Sequence, residues 1–255
     1  MMGEEWRIIC NFAAKTNDYM AQKRYTDLFV DFDDTLYDTH GNAVLALQEL
    51  YDLLHLERYF DAPETFYEAY WETNVDLWAR YSRGEITRDY LIIERFRRPL
   101  SLGRGLEATV PYCLDVSNRF LGLCSNKPGV VEGAHELMDH LRRQGYRIHM
   151  CSNGFHEVQY KKLRACGLYD YFDTIILSED AGANKPSPLF FDYAFRQTQA
   201  PRPTTLMLGD NYNTDILGAQ QAGLDTLYFN RYPDHPAPNP VTFEVASLRE
   251  VMNIL

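Results

Sequence analysis

Hydrophobic positions along this chain repeat in two distinct patterns. Residues 27–32 (DLFVDF) form a short apolar run, and 146–151 (YRIHMC), 173–177 (DTIIL), 204–208 (TTLML) and 225–229 (DTLYF) repeat it. Runs of this length predict buried strands. Helical periodicity occupies about 131–144, 156–166, 187–198 and 213–222. Strands alternating with helices predict an α/β fold, a parallel sheet covered on both faces. The punctuation agrees. Ser187-Pro188 reads as an N-cap followed by proline at the first helical position, and Asn213 reads as the cap of a helix running through Gly218. Gly145, Gly167 and Gly223 stand where helices should stop.

Between the first and second strands, residues 41–125 are almost wholly helical in pattern, with breaks near 61–63, 83–84 and 101–105. We read them as a helical cap inserted into a core made of residues 25–40 and 126–255. Within 63–81, Phe66, Tyr70, Thr73 and Leu77 share one face, and Tyr67, Trp71, Asn74 and Trp78 share the adjacent one. One stripe packs the cap's own core; the other either stacks a nucleobase or meets a neighbouring helix. After Tyr228 the chain turns proline-rich (Pro233, Pro236, Pro238, Pro240), then closes with a short helix capped by Ser247. Residues 1–24 do not continue the pattern and read as an N-terminal extension, with Met20 an alternative start.

The chain has 255 residues, 45% of them hydrophobic, and a net charge of −11. That suffices for a large core, and the absence of any basic run argues against a nucleic acid polymer as partner. Five cysteines without a CxxC imply no disulfide framework and a reducing, cytoplasmic setting. No apolar stretch approaches the roughly 20 residues that span a bilayer, and the acidic N-terminus does not read as a secretory signal.

The chemistry lies at the strand ends. Ligands of parallel sheets gather beyond the carboxyl ends of strands. Asp31, Asp33, Asp34 and Thr35 follow the first strand. Ser152, Asn153 and Gly154 follow the second, Lys185 lies beyond the third, and Asp210 and then Asp215 follow the fourth. Singly, each is an ordinary polar strand end, cap or surface lysine. Jointly they place several carboxylates, a hydroxyl, backbone amides and one ammonium at one rim. Aspartates so crowded are expected to share a hard cation that takes oxygen ligands, Mg²⁺ above all.

The order 31-DFDDT-35, Ser152 in MCSNG, Lys185 in NKPSP and 209-GDNYNTD-215 resembles the four motifs of the haloacid dehalogenase (HAD) superfamily, over about residues 26–230. The departure is Asp34, where that family usually has glycine; it bears on the geometry of the turn. The resemblance implies a Rossmann-like HAD core with an inserted cap and phosphoryl transfer through an aspartyl-phosphate. Asp31 would be the nucleophile, and Asp33 the general acid and base. The metal would be held by Asp31, the backbone carbonyl of Asp33 and Asp210, with Asp215 behind them on the metal's waters or on Lys185. Ser152, Asn153, Gly154 and Lys185 would hold the phosphate, and Thr35 would either join them or brace the loop. Asp33 and Asp210 separate this chain from dehalogenating relatives, which lack both.

The segment 78-WARYSRGEITRDYLIIERFRRPL-100, with NGF at 153–155 and LSEDAGANKP at 177–186, resembles the pyrimidine-nucleotide 5′-nucleotidases of that superfamily. The expected substrate is then a small phosphomonoester, most of all a nucleoside 5′-monophosphate, hydrolysed by a monomer or homodimer. Alternatives are a sugar-phosphate phosphatase or phosphomutase, a 2-haloacid dehalogenase, and a non-catalytic binding protein on the same fold. Arg95, Arg97 and Arg98 either meet phosphate or base, or complement their helix dipole.

Overall fold

Strand β1 (Asp27–Val30) is flanked on one side by β2 (Arg147–Ser152) and on the other by β4 (Thr205–Gly209). This computed structural model describes residues 24–232, 234 and 236–255; the extension read over residues 1–24 lies, except for Arg24, outside them, as does Pro233. With β3 (Thr174–Leu177), β5 (Asp225–Phe229) and β6 (Phe243–Val245), the order is β3-β2-β1-β4-β5-β6, parallel throughout. This is a Rossmann-like sheet whose strand order reverses at β1, the place where α/β folds open a crevice. The three-residue β6 lay hidden in the polar tail, too short to show a pattern.

Alternation along each strand sends side chains to opposite faces. Leu28 and Val30, Ile148 and Met150, and Leu206 and Leu208 join one apolar cluster with Leu137 and Leu141 of α5 (Ala134–Arg143). Phe29, Cys151 and Met207 point the other way, onto Phe190, Phe191 and Ala194 of α8 (Pro188–Thr198), which follows the short α7 (Ser178–Ala181). The α5 helix starts three residues later than its pattern, because Gly133 precedes it at φ +85°. Ser187 caps α8 as expected, its side chain accepting from Leu189 N–H.

Two caps differ from the sequence reading. Asn211, not Asn213, takes the N–H groups of Asn213 and Thr214; the chain then runs through a π-helical turn, Tyr212–Ile216, into α9 (Leu217–Gln221). Ser247 precedes α10 (Leu248–Ile254), but its hydroxyl donates to Glu250 instead of accepting from the backbone. The signal in both cases was a small polar residue, and which one caps depends on where the first turn closes.

The inserted region is helical: α1 (Thr39–Leu53), α2 (Pro63–Ser82), α3 (Arg88–Leu100) and α4 (Val110–Ser125). Phe66, Tyr70, Thr73 and Leu77 of α2 are its buried stripe. Phe66 and Tyr70 pack with Leu47, Leu50, Phe96 and Phe120 into a core separate from the sheet's. Each large apolar side chain so buried contributes about 1.5–3 kcal/mol. Leu77, Leu91 and Ile92 instead meet Phe155 and Val158, joining these helices to α6 (His156–Ala165).

Candidate active site

Register sets the site. Val30 of β1 lies level with Met150 of β2 and Leu208 of β4. The residues just beyond, Asp31, Ser152 and Asp210, therefore reach the same rim. One carboxylate oxygen from each of Asp31, Asp210 and Asp215 lies within 4.8 Å of the others. Lys185, 1% exposed, threads among them. Its Nζ donates to Asp31 Oδ1 (2.7 Å) and the carbonyl of Cys151 (2.6 Å), and pairs with Asp215 Oδ1 at 2.7 Å. Burial works against the ammonium, but Asp215 and Asp31 outweigh it and hold Lys185 charged.

One ammonium does not neutralise three carboxylates. Burial, helped by Asp215 and Asp33 and resisted by Lys185, pushes the Asp31 carboxyl up to about 7. Burial and then the charges of Asp31 and Asp215 push Asp210 well above the usual carboxylate range. Crowded oxygen donors that resist ionisation beside one another are what a hard divalent cation stabilises. The donor set therefore fits Mg²⁺, held by Asp31 and Asp210 with Asp215 adjoining. Gly209 makes this crowding possible: a Cβ there would run into the Asp215 carboxylate.

Thr35 is fully buried and lies 3.0 Å from both Asp31 Oδ2 and Asp210 Oδ1, while accepting the Asp210 N–H. Asp34 stands at φ +61°, the left-handed conformation that glycine would adopt freely and aspartate tolerates. It accepts from His40 N–H and from Arg231 Nη1.

Asp33 points elsewhere. Lys162 Nζ donates to its Oδ1 (2.6 Å), as does the Thr39 hydroxyl (2.7 Å), and Gln159 Nε2 donates to its Oδ2. Burial raises this carboxyl, but Lys162 and these hydrogen bonds reverse the effect and leave it below the ordinary range. Gln159 and Lys162 escaped the sequence reading. Their signal was weak: two polar residues three apart on the buried face of α6.

Ser152 Oγ accepts from Gly154 N–H (3.0 Å) and from Gln159 Nε2 (2.6 Å). The Asn153 side chain clamps the Lys185 backbone, Oδ1 accepting its N–H at 2.8 Å and Nδ2 donating to its carbonyl at 2.9 Å. These side chains border a cavity of about 770 Å³ between the rim and the helical insertion. That volume suits a small molecule.

Residues 28–223 match the model of the haloacid dehalogenase-like hydrolases. The chain belongs to this family. HAD-hydrolase YfnB of Bacillus subtilis (strain 168) is 34% identical over 91% of this chain and 96% of its own length. A crystal structure of YfnB bound to magnesium superposes with a TM-score of 0.80 at 32% identity, covering 91% of this chain and 99% of that one. Pyrimidine 5′-nucleotidase YjjG of Escherichia coli (strain K12) is 32% identical over 89% of this chain and 96% of its own. Pyrimidine 5′-nucleotidase PynA of Streptococcus pneumoniae is 28% identical, covering 91% and 95%. Membership of the HAD-like hydrolases and the carboxylate cluster together support Mg²⁺-dependent phosphohydrolase chemistry. Among the described residues, no helix is long and apolar enough to cross a membrane.

Proposed function

We propose that this protein is a cytoplasmic phosphatase of nucleoside 5′-monophosphates in which Asp31 is the nucleophile, Asp33 the general acid and base, and residues 41–125 the cap over the substrate. The observation that carries the reading is the placement of Asp31. Its carboxylate is oriented by Lys185 and Thr35 beside Asp210 and borders a cavity that Trp71 and Trp78 also line. The names of YjjG and PynA support a nucleotide substrate.

Asp31 forms a bond to phosphorus as the bond from phosphorus to the leaving oxygen breaks, and Asp33 gives that oxygen a proton. Lys162 favours ionised Asp33, so its protonation belongs to the complex, where the phosphoryl charge opposes the ammonium. Asp33 then takes a proton from water, the hydroxide attacks phosphorus, and the bond to Asp31 breaks to release phosphate. Ser152 and the amide of Asn153 hold phosphoryl oxygens, and Lys185 offsets the charge that develops on them. Bound Mg²⁺ would screen the repulsion between Asp31 and the phosphoryl group and align the two. An acid at Asp33 serves an alkoxide leaving group and has no use for a halide, which supports phosphoryl transfer over carbon–halogen cleavage.

The test is phosphate release with Mg²⁺ across nucleotides and sugar phosphates. Highest kcat/KM for dUMP and dTMP is expected; a panel led by hexose or triose phosphates would overturn the nucleotide reading.

A further inference from the structure

Ser152 ends β2 and Gln159 lies in the first turn of α6, so the loop 153–155 brings the helix back over the end of the strand. Gln159 is fully buried and borders the cavity together with Ser152 and Asp33. Its carboxamide passes over Gly154, where a Cβ would run into it. Two donors converge on the Ser152 hydroxyl: Gly154 N–H at 3.0 Å and Gln159 Nε2 at 2.6 Å.

A hydroxyl has one proton and two acceptor lone pairs. Both lone pairs of Ser152 are taken, so towards whatever enters the cavity it can only donate. Among the described residues its proton has one recipient, Asp33 Oδ2 at 3.5 Å, beyond the ordinary O–H···O range. That oxygen already accepts from Gln159 Nε2. One NH2 group thus stands between the hydroxyl and the carboxylate and keeps them from each other. The orientation of the amide follows from its partner: a carboxylate paired with Lys162 only accepts, so nitrogen must face it. The cost falls on the other end of the amide. Gln159 Oε1 is closed to solvent and has no hydrogen-bond partner. An apolar side chain would fill the same volume without stranding an acceptor, so packing gives no reason for an amide here.

We infer that Gln159 is a positioning residue for phosphoryl transfer: with Gly154 N–H it occupies the acceptor sites of Ser152 and so directs the serine proton to a phosphoryl oxygen. This rests on the phosphatase reading and goes beyond it by naming the group that sets the direction of donation. A phosphoryl oxygen only accepts, and a donor already aimed at it needs no reorganisation when it binds. The device acts on the phosphoryl group and not on the leaving group, so it serves every phosphomonoester the enzyme takes.

The test is a double-mutant cycle between Gln159→Met and Ser152→Ala, with Mg²⁺ present. Gln159→Met alone is expected to lower kcat/KM about tenfold or more, short of the loss of a whole oxyanion donor. In the Ser152→Ala background the same substitution should cost several-fold less, because the hydroxyl it directs is gone. A residue that only supports the fold costs the same in both backgrounds, and equal losses would overturn the proposal. Loss of folded protein in Gln159→Met lowers activity in both backgrounds and does not imitate the coupling. The second readout is calorimetric binding of inorganic phosphate to the Mg²⁺-loaded protein. Phosphate should bind several-fold more weakly to Gln159→Met than to the wild type, and equally to Ser152→Ala with and without Gln159→Met. Unchanged phosphate affinity in Gln159→Met would refute the inference even if turnover fell, since the contact with Asp33 would then account for the loss. If the wild type releases phosphate from no phosphomonoester, the phosphatase reading has failed and this inference with it; if the wild type is active and the cycle is additive, only the inference has.

Discussion

Lys162 Nζ lies 2.6 Å from Asp33 Oδ1, joining α6 to the loop that carries the proposed acid and base. Lys162 side-chain exposure is 10% and Asp33 28%, so solvent screens the pair only partly. The pair holds Asp33 below the usual carboxylate range against the effect of burial. In Lys162→Met the burial effect is left opposed only by the hydrogen bonds from Thr39 and Gln159. Because Asp33 acts first as an acid, the alkaline limb of kcat/KM should move to higher pH, and stability at neutral pH should fall by about 1–3 kcal/mol. In acid the sign is set by the depressed folded-state pKa of Asp33: its contribution is present above the unfolded carboxylate pKa and lost as pH falls through the lower, folded value. Wild type and variant should therefore converge in urea unfolding at acid pH. An unshifted pH profile would deny Lys162 its hold on Asp33.

Asp31→Asn removes both the nucleophile and one of three mutually repelling carboxylates. Turnover should fall at least about 1,000-fold, by analogy with loss of other catalytic nucleophiles. Lys185 keeps Asp215 and the carbonyl of Cys151 as partners, so the fold should survive. The melting temperature in EDTA should be no lower than that of the wild type. Substantial remaining phosphate release, measured in protein free of wild-type contamination, would assign the nucleophile elsewhere.

Mg²⁺ should stabilise the folded protein, since only the fold brings Asp31 and Asp210 together. At 100 times its Kd a ligand of the native state adds about 2.7 kcal/mol. Differential scanning fluorimetry should show a rise in melting temperature with Mg²⁺ in the wild type and little rise in Asp210→Asn. EDTA should stop phosphate release, and restored Mg²⁺ should return it. A chelator without effect on either readout would contradict the cation site.

His149 offers a pH test remote from the proposed chemistry. It is 2% exposed, bonded to Asp27 through Nε2 at 3.0 Å, with Nδ1 unpartnered. Burial lowers its pKa, and Asp27 only partly restores it. The fold therefore holds His149 neutral. Its contribution is present above the unfolded histidine pKa of about 6.5 and lost as pH falls through the depressed folded value. His149→Gln should flatten the fall in melting temperature below pH 6.5. A variant curve parallel to the wild type would place that loss on other groups.

The alternating sheet, the helical insertion and the identity of most rim residues were legible in the chain alone. Each is a local signal: β1, β2, β4 and β5 are short apolar runs, and Asp31, Ser152 and Asp210 directly succeed or end them. A residue just past a parallel strand must appear at the sheet's carboxyl edge, so order along the chain becomes proximity in space. The three-residue β6 carried no period to read, and Asn211 was chosen over Asn213 by the closure of a π-helical turn. The partners were set by tertiary packing. That Asn153 clamps the Lys185 backbone, that Lys162 and Gln159 hold Asp33, and that Arg95 faces the cavity while Arg97 and Arg98 find carboxylates all depend on where separate helices come to rest. Periodicity tells which face of a helix is buried. It does not tell what that face is buried against, because hydrophobic burial has no direction and hydrogen bonds across 30 or 130 residues leave no mark in the local pattern.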